Sequence, residues 1–152
     1  MSSNPKLELS QTEKNQLRKE KIKISEVHTH SVEELARILG VSEKRARIVK
    51  ALAEFQVVPS IGYELADKLV HRLDIYSLNE LKDKSGAELV DELEKRLGVW
   101  TDPCVEDQIR CVVNFANDPR SSKKWFNFTN DRKDYREKLG YPEDRPKKAW
   151  YE

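Results

Sequence analysis

The residues with the clearest chemical potential lie at Val58-Pro59-Ser60-Ile61-Gly62. Pro59 and Gly62 break helical periodicity, and apolar spacing resumes after Tyr63 through Leu65, Ala66, Leu69 and Val70. A tight turn that opens a helix presents backbone amides at the turn and at the helix N-terminus, and such amides hold phosphate. Pro59 limits the conformation of the turn, and Ile61 plugs the gap between the helices it joins. Gly62 supplies backbone freedom and close approach. Ala66 is small enough for the helices to cross tightly. The candidate phosphate-facing residues are therefore Pro59, Ser60, Ile61 and Gly62, with Lys44, Arg47, Lys50 and Lys68 as supplementary cations. Contacts of this kind position a nucleic-acid backbone without reading its sequence.

The elements that must hold this turn read as helices throughout. Ser31-Val32-Glu33-Glu34 fits a capping box, followed by Leu35, Ile38 and Leu39 at helical spacing and Gly40 as a stop. Ser42 caps the next helix, whose apolar face is Ala46, Val49, Leu52 and Ala53, running towards Phe55. Ser77-Leu78-Asn79-Glu80 repeats the capping pattern ahead of a short helix. Ala87 to Leu97 is amphipathic and ends at Gly98. Asp102-Pro103 opens a further helix with proline at its first position. No run suggests a sheet. The expected fold class is all-α: a compact multi-helix domain over residues 31–118, with a polar N-terminal tail over 1–30. An irregular extension over 119–152 is expected to dock through its aromatic residues.

The pattern Phe55 to Leu69 resembles the helix-hairpin-helix motif of DNA-handling proteins. Two residues depart from it. Ser60 replaces the usual first glycine, where a side chain limits phosphate approach although its hydroxyl is a potential donor. Glu64 stands where many binding versions carry a non-acidic residue; its carboxylate suits a helix N-terminus but repels phosphate. A wider resemblance, to the bacterial "pathogenicity locus" family of small helix-hairpin-helix proteins, rests on several pieces. They are Pro59-Ser60-Ile61-Gly62, Ile75-Tyr76-Ser77-Leu78-Asn79-Glu80-Leu81, Asp102-Pro103-Cys104-Val105 with Arg110-Cys111, and Trp125-Phe126. It covers residues 31–130 and implies a DNA-binding module without an activity to carry over.

Other constellations carry two readings each. Val32 to Leu52 is similar to the helix-turn-helix of transcription regulators, with Glu43, Lys44, Arg45 and Arg47 facing the major groove, or it is an ordinary helical corner. Lys123-Lys124-Trp125-Phe126-Asn127-Phe128 mixes cations with aromatics, which suits stacking of single-stranded bases or an aromatic clasp on the core. Lys147-Lys148-Ala149-Trp150-Tyr151 allows the same pair. Cys104 and Cys111 sit about 10 Å apart along one helix face, too far for a disulfide, and read as core thiols. Arg110 between them is placed to pair with Asp102, Glu106 or Asp107. His28-Thr29-His30 would hold a metal only with ligands from elsewhere in the chain, and His71 stands alone on the helix after the turn, so no metal and no cofactor is expected. The chain carries no nucleotide-binding loop, nucleophile elbow or zinc-protease signature, so a non-enzymatic role is expected.

Bulk properties bound the partners. The 152 residues are 38% hydrophobic and 36% charged, with a formal net charge of +1, so no global field draws the chain to nucleic acid or to an anionic membrane. Residues 1–58 hold 11 Lys+Arg against 8 Asp+Glu; residues 59–100 hold 6 against 9; residues 101–152 hold 11 against 10. The segment with the turn is thus the acidic one, and this favours a protein partner as the alternative to DNA. Two cysteines, no apolar leader and no membrane-length apolar run lead to a cytoplasmic expectation. Oligomeric state is open.

Overall fold

The computed structural model describes residues 4–152, and the regular elements among them are all helical. In chain order they are α1 (Gln11–Lys19), a 3-10 turn at Ile24–Thr29, α2 (Val32–Leu39), α3 (Glu43–Phe55) and α4 (Tyr63–Asp67). Helix α4 runs on as a π turn over Lys68–Arg72, followed by a 3-10 turn at Leu78–Leu81 and α5 (Gly86–Leu97). Helix α6 (Pro103–Asn117), a 3-10 turn at Trp125–Phe128 and α7 (Thr129–Leu139) complete the chain. An isolated parallel bridge joins Trp100 to Ala149. No helix among the described residues is long and apolar enough to cross a membrane.

The caps read from sequence form. Ser31, Ser42 and Asp102 accept hydrogen bonds from the amides of Glu34, Arg45 and Cys104, which satisfies donors that a helix start leaves open. Gly40 and Gly98 end α2 and α5 with positive φ of 69° and 72°, a conformation glycine adopts without steric cost. Helix α3 lies at the centre: Ala46, Val49, Ala51, Leu52, Ala53 and Phe55 are buried. Ala51 and Ala53 are inside because α2, α4 and the turn at 24–29 cover α3 on several sides.

Both expected tails differ from expectation. Residues 11–19 form α1 with a complete capping box, Ser10 accepting from Glu13 N and Glu13 accepting from Ser10 N. Leu7, Leu17 and Val27 join the same core as the central helices. Apolar residues are sparse here, but the Ser10-x-x-Glu13 spacing is a readable start signal. At the other end α7 is a helix of 11 residues rather than irregular chain. Its inward face is Arg132, Tyr135 and Arg136, so it has no apolar stripe for a periodicity search to find.

Gly86 opens α5 at its closest approach to α6. A Cβ at this position would lie 2.6 Å from Arg110 Cγ and 3.1 Å from Arg110 Cα. Gly86→Ala should therefore destabilise the fold by roughly 1–3 kcal/mol through overpacking, read as a lower midpoint in urea. Helix α1 is held differently: Arg45 Nε and Nη2 donate to Glu13 at 3.0 Å each. The hydrogen bond from Arg45, helped by Ser10, holds the Glu13 pKa below 4.5 against the opposing effect of burial. The stability this pair adds is complete above about pH 4.5 and is lost as pH falls through the lowered folded pKa. Thermal melts between pH 6 and 3 should show a smaller acid-induced decline in Glu13→Gln than in the parent chain.

Candidate functional site

The chain between α3 and α4 turns through a bond from Ile61 N–H to Val58 O of 3.1 Å, with Val58 and Ile61 buried. Ile61 is part of the hydrophobic core. The backbone roles of the other two residues are reversed from expectation. Ser60 takes the left-handed conformation at φ 70°, which costs a non-glycine residue about 1–3 kcal/mol. Gly62 is extended at φ −110°, ψ −168°, and a Cβ there would meet no atom within 4 Å. Glycine at 62 is thus not demanded by the fold; its effect is to leave the space beside the start of α4 open.

That start is uncapped by any side chain. The first intrahelical bond of α4 runs from Ala66 N–H to Gly62 O at 3.2 Å, so the amides of Tyr63, Glu64 and Leu65 precede it and project towards the turn. The Ser60 hydroxyl, by contrast, is used inside the protein. It donates to Pro59 O and accepts from Trp125 N–H at 2.9 Å. Cys111 Sγ lies 3.5 Å from Lys123 O and 3.9 Å from Pro59 O. Through these bonds α6 and the chain at 123–125 are tied to the back of the turn.

The supplementary cations fare unequally. Lys50 Nζ donates to His28 O and His30 O at 2.8 and 2.6 Å, so its ammonium caps the turn at 24–29. The Arg47 guanidinium lies 4.0 Å from the ring centre of Tyr76. Arg45 is committed to Glu13 and to Glu8 O. Lys44 is exposed. Of the positive side of α3, Lys44 and Arg47 reach solvent, and a groove-reading role for this helix would require Arg45 to leave its carboxylate. Lys68 is half-buried one turn after Glu64, and the two line one cleft.

Segments distant in sequence pack against the turn and bring lysines with them, the Lys123 ammonium lying 5.7 Å over the ring of Phe128. Lys6 Nζ sits 5.3 Å over the ring of Tyr63, the first residue of α4. Gln56 secures this segment at the end of α3 by bonding both Lys6 N–H and Lys6 O. Lys123 and Lys124 are exposed immediately before Trp125, whose amide is bonded to Ser60, and Phe126 beyond it is 54% exposed. The surroundings also hold acid: burial first, then the carboxylates of Asp67 and Glu8, raise the Tyr63 pKa above 10.

The return of the C-terminal third depends on three buried carboxylates. Glu106 accepts from Arg136 Nε at 2.9 Å and Arg110 Nε at 3.0 Å. Asp107 accepts from Arg132 Nε at 2.6 Å and Thr129 Oγ1 at 2.9 Å. Glu94 accepts from Arg145 Nε and Nη2 at 2.8 and 3.1 Å and from Thr101 N–H at 2.7 Å. Arg136 also reaches Asp91 at 2.9 Å and the carbonyl oxygens of Ala87 and Gly140. Burial weakens its charge, but these ion pairs outweigh it and hold its pKa above the usual guanidinium value. Tyr141 is stacked between the guanidinium groups of Arg136 and Arg145, at 4.2 and 3.7 Å.

Beyond Arg145 the chain bonds Trp100 on both sides, Trp100 N–H to Lys148 O and Trp150 N–H to Trp100 O, each 2.9 Å. Ala149 is buried, while Trp150 is 51% exposed on the cleft that holds Glu64 and Lys68. Both basic-aromatic runs of the C-terminal third therefore flank α4, one through Trp125 and one through Trp150. The thiols have no such exposure. Cys111 is buried, and desolvation pushes its pKa up to about 11; burial likewise raises that of the half-buried Cys104. Among the described residues no group of three or more His, Cys, Asp or Glu is arranged to hold a metal ion.

The family model described as Cdd1, pathogenicity locus, matches residues 48–134, more than half of the chain. The match runs from the middle of α3 through the turn and α4 into α7, leaving α1, α2 and the chain after 134 outside it. No curated protein and no solved structure matches.

Arg136→Ala would remove one of the two guanidinium groups paired with the buried carboxylate of Glu106, leaving Arg110, and would take the ion-pair partner of Asp91. The loss should be about 3–5 kcal/mol, as for breaking one side of a buried ion pair, measured by chemical denaturation with tryptophan fluorescence.

Proposed function

The chain belongs to the pathogenicity locus family, and we propose that it is a non-enzymatic module contacting a nucleic-acid backbone at a helix-hairpin-helix motif. The motif consists of α3, the turn Val58-Pro59-Ser60-Ile61-Gly62 and α4. Phosphate binds at the uncapped amides that open α4, where the helix N-terminus adds partial positive charge. The observation that carries this reading is Gly62. Its conformation needs no glycine and its missing side chain would strike nothing, so what the glycine preserves is access to those amides. The cations are Lys6, Lys123 and Lys124 around the turn, with Lys44, Arg47 and Lys68 further out and Lys50 confined to its structural role. Amide-phosphate contacts carry no base information, so binding is tolerant of sequence. Glu64 and Asp67 keep it weak.

Gly62→Asp separates binding from folding. The position accepts a side chain, and Asp is among the better N-cap residues, worth about a few tenths of a kcal/mol over glycine. The variant should match or exceed the parent in thermal stability. Its carboxylate would compete for the same amides and repel phosphate. Fluorescence anisotropy with labelled random-sequence DNA should show binding that weakens steeply between about 50 and 200 mM salt, because each phosphate contact releases counterion. Gly62→Asp should abolish that binding, and a Lys123→Glu, Lys124→Glu double variant should lower both affinity and salt slope. A stable Gly62→Asp variant that binds DNA like the parent would assign the hairpin a purely structural role.

A further inference from the structure

A cleft of about 440 Å³ opens beside α4, between its first turns, the start of α6 and the returning C-terminal chain. This lies within the size range of small-ligand sites, about 300–1,000 Å³. Leu97, Val99 and Val105 supply apolar wall, and the exposed indole of Trp150 supplies a flat face at one side. The polar groups are Glu64, Thr101, Asp102, Cys104 and Gln108, with Lys68 as the single cation; one oxygen of Asp102 already accepts from Cys104 N–H. Two carboxylates against one ammonium make a poor phosphate site. The same groups suit a nucleobase: carboxylates accept from exocyclic amino groups such as cytosine N4, an amide both donates and accepts, and an indole stacks on the ring.

We infer that this cleft takes one unpaired, amino-bearing base from the strand whose backbone rests on the hairpin, stacked on Trp150 and held at its edge by Glu64, Asp102 and Gln108. The inference rests on the proposed backbone contact. It also gives Glu64 a task, since this carboxylate, which weakens the phosphate contact, lines the cleft. A base inside a duplex is stacked on both faces, so only single-stranded or extruded bases enter. The nucleic acid that fills the cleft is thus single-stranded, or a duplex interrupted by unpaired nucleotides, while a blunt duplex makes the backbone contact alone.

Labelled dodecamers of deoxycytidine and of thymidine, equal in ring size but differing at position 4, provide the test alongside a blunt duplex. Binding would be followed by anisotropy at low salt on the full chain, Trp150→Ala and Gly62→Asp. Trp150 is exposed and holds its place through backbone bonds, so its truncation leaves the fold intact. The parent should prefer the cytidine strand by about fivefold or more, the scale of one good edge contact. Trp150→Ala should erase that preference and leave duplex binding unchanged, while Gly62→Asp weakens all three. Equal affinity for the two strands, unaltered by Trp150→Ala, would overturn the base site and leave the backbone reading standing. Absence of binding by every nucleic acid at low salt would instead remove the backbone reading and the base site with it. Self-association that Trp150→Ala abolishes, without base preference in the parent, would assign the cleft to a second copy of the chain and overturn the proposal.

Discussion

Three carboxylates, Glu94, Glu106 and Asp107, are each at least 97% buried on α5 and α6, and the placement of the last third of the chain depends on them. A carboxylate removed from water costs several kcal/mol unless it is paired and its remaining lone pairs are bonded. Beside Arg110 of α6, which also pairs with Glu106, the ionic partners come from later sequence: Arg132 and Arg136 on α7, and Arg145 beyond it. Neutralising the core therefore requires the chain to fold back twice across α5 and α6. Helix α7 has little else to hold it, since its inward face is two arginines and a tyrosine.

That double return sets the surface around α4. One pass leaves Trp125 bonded to Ser60 behind the turn, with Lys123, Lys124 and Phe126 exposed beside it. The other brings Trp150 to the cleft on the α4–α6 side. The acidic middle of the sequence thereby acquires lysines and aromatic faces that its own residues do not supply. The positive residues of α3 are meanwhile drawn into the fold, Lys50 by two carbonyl oxygens and Arg45 by Glu13. A cation beside an unmet buried acceptor serves that acceptor first.

The turn between α3 and α4 divides its labour between two residues that are easily confused in sequence. Ser60 bears the left-handed backbone and spends its hydroxyl on Pro59 and Trp125. Gly62, extended and unobstructed, shapes only the space above the helix start. Conformational strain thus sits at the residue locked from behind, and openness at the residue facing solvent.

Local signals in the sequence determined the helix starts at Ser31, Ser42 and Asp102, the stops at Gly40 and Gly98, the turn at Pro59 to Gly62 and the apolar face of α3. Each of these is fixed by residues within about one turn of one another, through caps, φ preferences and helical periodicity. Helix α1 was also legible, in Ser10 and Glu13, although its sparse apolar content hides it from a search by hydrophobicity. Helix α7 was not legible, because its buried face is ionic and shows meaning only beside Glu106 and Asp107. Which lysines lie near the turn between α3 and α4, and which are consumed within the fold, was decided by tertiary structure alone. Lys6 meets Tyr63, and the segment of Lys123 and Lys124 is joined to the turn through Trp125 and Ser60, across more than 50 residues. Charge has no periodicity that records its partner, so only the folded chain shows whether a cation is paired within it or free to meet an anion.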